Sequence, residues 1–144
     1  TATINDIFTP DELKDAGLLK AETMETVYLE NQGLKGFVLH TLPLPAQYAP
    51  VYGIVLEDFN QDGKKDMLLA GNNTWTRIKF GRYAANHGVL MLGDGKGGFT
   101  YVPQTISGLQ LIGNVKSLRL IHAGNTPKII AGINDNNAVL ISSK

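Results

Sequence analysis

The chain has 144 residues, 43% of them hydrophobic, and its 13 basic residues balance 13 acidic ones. This length fits one domain that buries about 70% of its unfolded surface, and the neutral balance excludes a general attraction to nucleic acid or anionic membranes. The absence of cysteine excludes disulfides, thiolate catalysis and cysteine-based zinc sites, and no apolar run approaches the ~20 residues that span a bilayer.

The first predicted element is a short helix near the N-terminus. Thr9 can cap it, Pro10 fits the first helical position, and Glu12 completes a capping box. Gly17 is typical of a helix end. A helix of about two turns is too short to be stable alone, so we expect it to dock on the rest of the domain.

From residue 26 onwards, short β-branched or leucine-rich runs alternate with clusters of glycine and asparagine, a pattern typical of many short strands. We predict strands at 26–30, 36–42, 51–57, 66–71, 88–93, 99–103, 116–121, 128–133 and 138–142, with turns at 125–127 and 134–137. The run 67–70 is apolar on both faces and predicts a central strand. The strand 99–103 ends at Pro103, as an edge strand would.

These strands group as two, four and three along the chain. The group at 51–103 is a self-contained antiparallel meander, and the groups at 26–42 and 115–142 look like partial copies of it. Turn 31–37 resembles turn 94–99, since each leads to a strand that starts Gly-Phe. We therefore predict an all-β fold of four-stranded meander blades, a section of a β-propeller. Such a section is too short to close a ring, so further blades of a parent chain or copies of itself should complete it. A stand-alone β-sandwich remains the alternative fold.

The strongest chemical signal is the segment 58–66, which fits D-x-N-x-D-G-x-x-D. Its side-chain oxygens recur at every second position and then at the ninth, in Asp58, Asn60, Asp62 and Asp66. The Lys64 carbonyl can add a ligand, and Gly63 permits the sharp turn. Three facing carboxylates repel one another unless a cation lies between them, and an all-oxygen set favours Ca²⁺. The flanks are predicted strands, which excludes an EF-hand.

Segment 48–99 resembles an FG-GAP repeat of the VCBS type, the blade unit of integrin-α-like propellers. The matching stretches are 49–53, the loop 58–66 and the glycine-rich run 92–99. Outside them, 27–31 with 36–37 resembles the close of a preceding blade. Gly81-Arg82-Tyr83 is similar to bacterial ASPIC/UnbV-like relatives, although Ala84 stands where those often have an acid.

This resemblance implies a non-enzymatic binding or adhesion module in which Ca²⁺ has a structural role. It also implies a secreted, periplasmic or cell-surface protein with an unknown protein or carbohydrate partner. Because the first residue is Thr1 instead of methionine, we expect a processed or trimmed chain from which any signal peptide has already gone.

The segment 72–86, between two predicted central strands, is the second candidate site. Long loops in compact domains are often functional, and this one contains Trp75, Arg77, Arg82 and Tyr83, residue types that dominate binding hot spots. The alternative is that Trp75 and Phe80 pack over a sheet edge or a neighbouring blade.

The remaining sequence patterns give weaker evidence of function than these two candidate sites. Gly93, Gly95 and Gly98 satisfy G-x-G-x-x-G, but a predicted strand follows them, so we interpret them as a hairpin turn. The three histidines show no metal spacing. An alternative function, a carbohydrate-active or hydrolytic enzyme, would need converging acids outside the loop. The candidates are Glu25, Glu30, Glu57 and Asp94.

Overall fold

A computed structural model of the chain describes residues 2–123 and 126–142, without the side chains of Phe80, Ala123 and Thr126. Its described residues form nine antiparallel strands in three sheets, of two, four and three strands. The strands are β1 (Val27–Asn31), β2 (Phe37–Thr41), β3 (Val51–Glu57), β4 (Asp66–Gly71), β5 (Val89–Gly93), β6 (Phe99–Val102), β7 (Asn114–Ala123), β8 (Thr126–Asn134) and β9 (Val139–Ser142). Short helices are α1 (Pro10–Leu13) and α2 (Gln104–Ser107), with 3-10 turns at Ile4–Asp6, Gly33–Lys35, Leu44–Gln47 and Ile78–Phe80.

The predicted grouping of two, four and three strands is confirmed. In each sheet, strands that follow one another in sequence are neighbours, in the orders β1-β2, β3-β4-β5-β6 and β7-β8-β9. As predicted, β4 is an inner strand, with every residue buried, and β6 is an edge strand that ends just before Pro103. Helix α2 was not predicted. Part of the turn predicted at 125–127 lies outside the described residues, and β8 already begins at Thr126.

Two apolar clusters cover the two faces of the four-stranded sheet. The cluster shared with β7–β9 contains Val55, Leu68, Ala70, Leu111, Val115, Leu118, Ile129 and Ala131. The cluster on the other face contains Leu42, Ala46, Met67, Leu69, Val89 and Met91, with Tyr28, Phe99 and Tyr101 packed against it. Successive side chains of a strand point to opposite faces. Alternate residues of β4 therefore enter different clusters, which is why its apolar run is unbroken.

The prediction for the N-terminal helix is wrong in length and in docking. The predicted cap is present, because the Thr9 side chain accepts a hydrogen bond from the Glu12 N–H. However, α1 is a single turn that ends at Leu13, and none of its residues is buried. A capping box fixes a helix start, but nothing in the following sequence adds an apolar face able to hold a second turn on the sheet.

Two hairpin turns have the same length and the same closing hydrogen bond. The β1–β2 turn is closed by the Gln32 N–H donating to the Gly36 carbonyl at 2.8 Å, and the β5–β6 turn by the Asp94 N–H donating to the Gly98 carbonyl at 3.0 Å. Their end pairs, Asn31–Phe37 and Gly93–Phe99, enclose the same number of residues. The sequence similarity between these turns thus has a structural counterpart.

The outer faces of the two end sheets remain exposed. The exposed apolar residues are Leu29, Phe37 and Leu39 on the β1–β2 hairpin, and Ile130 and Leu140 on the β7–β9 sheet.

Within the described residues, no helix has the length and apolar character needed to cross a membrane.

Candidate functional site

The predicted metal loop joins β3 to β4. Its base is the pair Glu57–Asp66, the last register pair between these strands. Lys65 Nζ lies 3.0 Å from the Glu57 carboxylate across this base. The Asp58 N–H and, after it, the Lys65 ammonium lower the pKa of Glu57. The loop is therefore closed at its base by a strand pair and an ion pair.

Asp58 organises the first half of the loop. One of its carboxylate oxygens accepts the Asp62 N–H at 3.0 Å, and the other accepts the Gly63 N–H at 2.8 Å. The Asn60 side-chain oxygen accepts the same Asp62 N–H at 3.1 Å. Because two ligand candidates share one donor, their oxygens lie on the same side of the loop. Gly63 has a φ of +83°, which favours glycine there.

Asp62 is the exposed carboxylate of the set. Its carboxylate accepts the Lys64 N–H at 2.9 Å and lies 3.3 Å from Lys64 Nζ. The hydrogen bond from the Lys64 N–H is the main reason that the pKa of Asp62 is lowered. The charged form of Asp62 is thus favoured, and a charged carboxylate is the form that binds a cation.

Asp66 is fully buried and holds the loop to the sheet. One carboxylate oxygen accepts the Phe59 N–H at 2.8 Å, and the other accepts the Gly93 N–H at 3.0 Å. A Cβ added to Gly93 would overlap the Lys65 carbonyl oxygen, so β5 approaches the loop closely at this point. This second function of Asp66 was not predicted, because the motif gives no sign of Gly93.

The donor set fits a hard cation. Four side chains and the Lys64 carbonyl offer only oxygen, and Ca²⁺ prefers oxygen ligands in irregular geometry. Over the described part of the chain, no three histidine or acidic side chains are already placed to hold a metal ion. In the described loop, backbone N–H groups are the partners of Asp58 and Asp66, and they partly balance the negative charge.

An open groove of about 640 Å³ separates this loop from the glycine-rich β5–β6 turn. In that turn the Asp94 carboxylate accepts the Lys96 N–H at 2.7 Å and the Gly98 N–H at 2.9 Å. These hydrogen bonds lower the pKa of Asp94, with that from Lys96 having the largest effect. The G-x-G-x-x-G run thus forms the predicted hairpin turn. Two of its backbone N–H groups, those of Lys96 and Gly98, donate to Asp94 within the same turn.

The segment 72–86 leaves the opposite end of β4. Asn73 and Tyr83 exchange backbone hydrogen bonds of 2.8 and 2.9 Å, which close residues 74–82 into a lobe. Asn114 anchors this lobe to the start of β7, because its side-chain oxygen accepts the Thr74 N–H at 3.0 Å and its amide nitrogen donates to the Thr74 hydroxyl at 2.7 Å. The lobe is therefore tied to the core at its base.

The predicted binding residues of the lobe lie at the surface. Trp75 is 76% exposed, Tyr83 is 44% exposed, and Arg77 and Arg82 are also exposed. Trp75 therefore does not pack over the sheet edge, while the Phe80 side chain lies outside the described residues.

A buried asparagine pair beneath the lobe was missed by sequence reasoning. The Asn72 amide donates to the carbonyls of Asn86 at 2.7 Å and Gly113 at 2.9 Å, and its oxygen accepts the Asn86 N–H at 3.0 Å. Asn72 has a φ of +128°. Consecutive asparagines indicated only a turn in the sequence, and the long-range partner Gly113 had no signal at all.

The four acids considered for an enzyme each have a different partner. Glu25 accepts the Thr41 hydroxyl, Glu30 lies 2.9 Å from His40, Glu57 pairs with Lys65, and Asp94 closes its own turn. His40 also stacks on Tyr28, with 4.7 Å between ring centroids.

No protein-family model, curated protein or solved structure matches the chain.

Proposed function

We propose that residues 58–66 bind one Ca²⁺ ion that braces the sheet of a non-enzymatic binding module. The observation that carries this proposal is the position of Asp66. Its carboxylate is buried at the base of the loop and accepts hydrogen bonds from the backbone N–H groups of both Phe59 and Gly93. A ligand in this position belongs to the loop and to the sheet at once, so an ion bound there would act on both.

The ligand set is Asp58, Asn60, Asp62, the Lys64 carbonyl and Asp66. Bound Ca²⁺ would supply the positive charge that three carboxylates on one short loop require. Asp58 and Asn60 already lie on one side of the loop through their shared N–H donor. Asp62 is the most adjustable carboxylate, since its side chain is 34% exposed and its ion pair is with Lys64, two residues further along the same loop. We expect Asp62 to turn toward the ion while Asp66 stays in place.

The module would have the architecture of consecutive propeller blades. Three features of the fold support this. Each sheet consists of strands consecutive in sequence, and two hairpin turns are closed by the same hydrogen bond. The β7–β9 sheet packs on one face of the four-stranded sheet, and Tyr28 of β1 packs on the other face. A sandwich of the immunoglobulin type would have Greek-key connections between its sheets, which the described strands lack. On this interpretation, β1–β2 ends one blade and β7–β9 begins another. Further blades of a parent chain, or other copies, would cover their exposed outer faces.

The lobe of residues 74–82 is the proposed recognition surface. It presents Trp75, Arg77 and Arg82 to solvent, with the exposed Tyr83 at its base. Hydrogen bonds from Thr74 and Asn114 fix the lobe to β7. Rigid aromatic and arginine side chains are the residues that dominate binding hot spots. Because β4 runs from the loop to the lobe, the two sites lie at opposite ends of one sheet. The ion would thus stabilise the scaffold, and the lobe would bind a protein or carbohydrate outside the cell.

Isothermal titration with Ca²⁺ tests the proposal. We expect one site with a Kd on the order of 10⁻⁴–10⁻³ M, as in many extracellular modules, and weaker binding of Mg²⁺. Asp62→Ala should abolish binding. The control Asp15→Ala removes an exposed carboxylate outside the loop and should leave binding unchanged. Absence of any binding heat at millimolar Ca²⁺, or binding that persists in Asp62→Ala, would contradict the assignment.

A further inference from the structure

The neutral net charge of the chain hides a strong segregation of charge. The first 25 residues contain six acids and two lysines, namely Asp6, Asp11, Glu12, Asp15, Glu22 and Glu25 against Lys14 and Lys20. The segment between Asp66 and Asp94 contains no acid but three cations, Arg77, Lys79 and Arg82. All three belong to the lobe. The acidic and the basic side chains therefore belong to two different parts of the structure, the first 25 residues and the lobe.

Residues 2–25, the N-terminal arm, are largely free of the domain. Leu18 and Leu19 are 90% and 97% exposed, and Ile7 and Met24 are also exposed. Up to Glu22, the side-chain hydrogen bonds described for the arm connect arm residues only. An acidic segment that exposes this many apolar side chains is unlike an ordinary solvated tail, because it has apolar surface to bury.

The lobe has the complementary character. Its cations are exposed, and none takes part in the ion pairs found among the described residues. Trp75 and Ile78 expose apolar surface in the same lobe, and Ile78 is fully exposed. The lobe thus presents apolar side chains beside cations and no acid, whereas acids outnumber lysines in the arm.

We propose that the arm of one copy binds the lobe of a second copy, and that two copies exchange arms in a reciprocal dimer. The proposal deepens the function inferred above, since it assigns a partner to the lobe. Acidic groups of the arm would face Arg77 and Arg82, while arm leucines cover Trp75 and Ile78. Opposite charges fix orientation and speed association, and apolar burial adds affinity. A two-fold arrangement lets both arm–lobe contacts form at once.

Sedimentation equilibrium with two charge-reversal variants tests this. One is the lobe variant Arg77→Glu/Arg82→Glu, and the other is the arm variant Asp11→Lys/Asp15→Lys. Each should raise the dissociation constant of the dimer by at least about tenfold, because like charges then face each other. All four positions are exposed, so folding should be unaffected. Mixing the two variants should restore a heterodimer, since the lobe variant has a native arm and the arm variant a native lobe. The control Lys35→Glu/Lys96→Glu makes the same change in net charge as the lobe variant, at other exposed positions, and should dimerise normally.

Trp75, the only tryptophan, reports on the same contact. Its fluorescence should shift to shorter wavelength as protein concentration rises, and the shift should be lost when salt is raised to about 0.5 M, where screening acts within a few ångströms. A monomer at all concentrations would overturn the proposal, as would a dimer insensitive to both variants or a Trp75 shift independent of concentration. The last result would mean that the arm covers its own lobe. Calcium titration of the same samples is independent of these outcomes and tests the metal site separately.

Discussion

Asp66→Asn should destabilise the protein even without calcium, whereas the same change at Asp62 should not. The Asp66 carboxylate accepts two backbone N–H groups, those of Phe59 and Gly93, in a fully buried place. In the amide, one of the two oxygens becomes an NH₂ group that faces an N–H donor, so one bond is lost and a buried donor is left without an acceptor. A hydrogen bond to a charged group contributes about 1.5–3 kcal/mol.

We therefore expect Asp66→Asn to lower the free energy of unfolding by about 2–3 kcal/mol. For a domain near 150 residues this corresponds to a fall in Tm of roughly 4–12 °C. Asp62→Asn retains an oxygen for the Lys64 N–H and weakens only an exposed ion pair, which should change stability by less than about 0.5 kcal/mol.

Thermal unfolding followed by circular dichroism in excess EDTA separates the two cases. Both variants should respond less to added calcium because each loses a ligand charge, but only Asp66→Asn should melt earlier in EDTA. If Asp66→Asn and the unmodified protein melt together in EDTA, the buried carboxylate does not brace the sheet, and the reasoning from its two hydrogen bonds is wrong.

Three further predictions follow from the structure. Gly93→Ala should lower the Tm by several degrees because a Cβ there overlaps the Lys65 carbonyl, while Gly17→Ala, with open space around it, should have little effect in the same melting assay. Hydrogen bonds lower the pKa of Glu57 and Asp62 in the folded state from their ordinary values of 4.5 and 3.8. The stabilisation from these hydrogen bonds is present above those values and is lost as pH falls through the lower folded pKa. The Tm should therefore be constant above about pH 5 and fall below about pH 4.5. Finally, ester, peptide and glycoside substrates should show no turnover; turnover that survives mutation of the calcium loop would support the enzyme alternative.

The strands were predictable because local patterns determine them. The run 67–70 has no polar position, so only an inner strand with two covered faces suits it, and β4 is that strand. Glycine and asparagine clusters marked the turns, with strand ends correct to within a few residues. The N-terminal helix was overestimated because its start signal is local, whereas its length depends on a docking surface that the fold does not provide.

The site was predictable only as far as the chain brings its residues together by itself. The spacing of 58–66 placed the oxygens of Asp58 and Asn60 on one side of a tight loop. The bond from Gly93 to Asp66 spans 27 residues, and the Asn72–Gly113 bond spans 41. Contacts of this kind depend on how strands pair and sheets stack, which composition and spacing do not specify.

The central claim, a structural calcium site at 58–66, is tested most directly by the Tm of the unmodified protein in EDTA and in millimolar calcium. Stabilisation by a ligand follows RT ln(1 + [Ca²⁺]/Kd), which is about 2.7 kcal/mol at a hundred times Kd. We predict that calcium near 10 mM raises the Tm by roughly 3–10 °C over EDTA, and that Asp62→Ala removes the rise. A Tm that is identical in EDTA and in calcium would contradict the account.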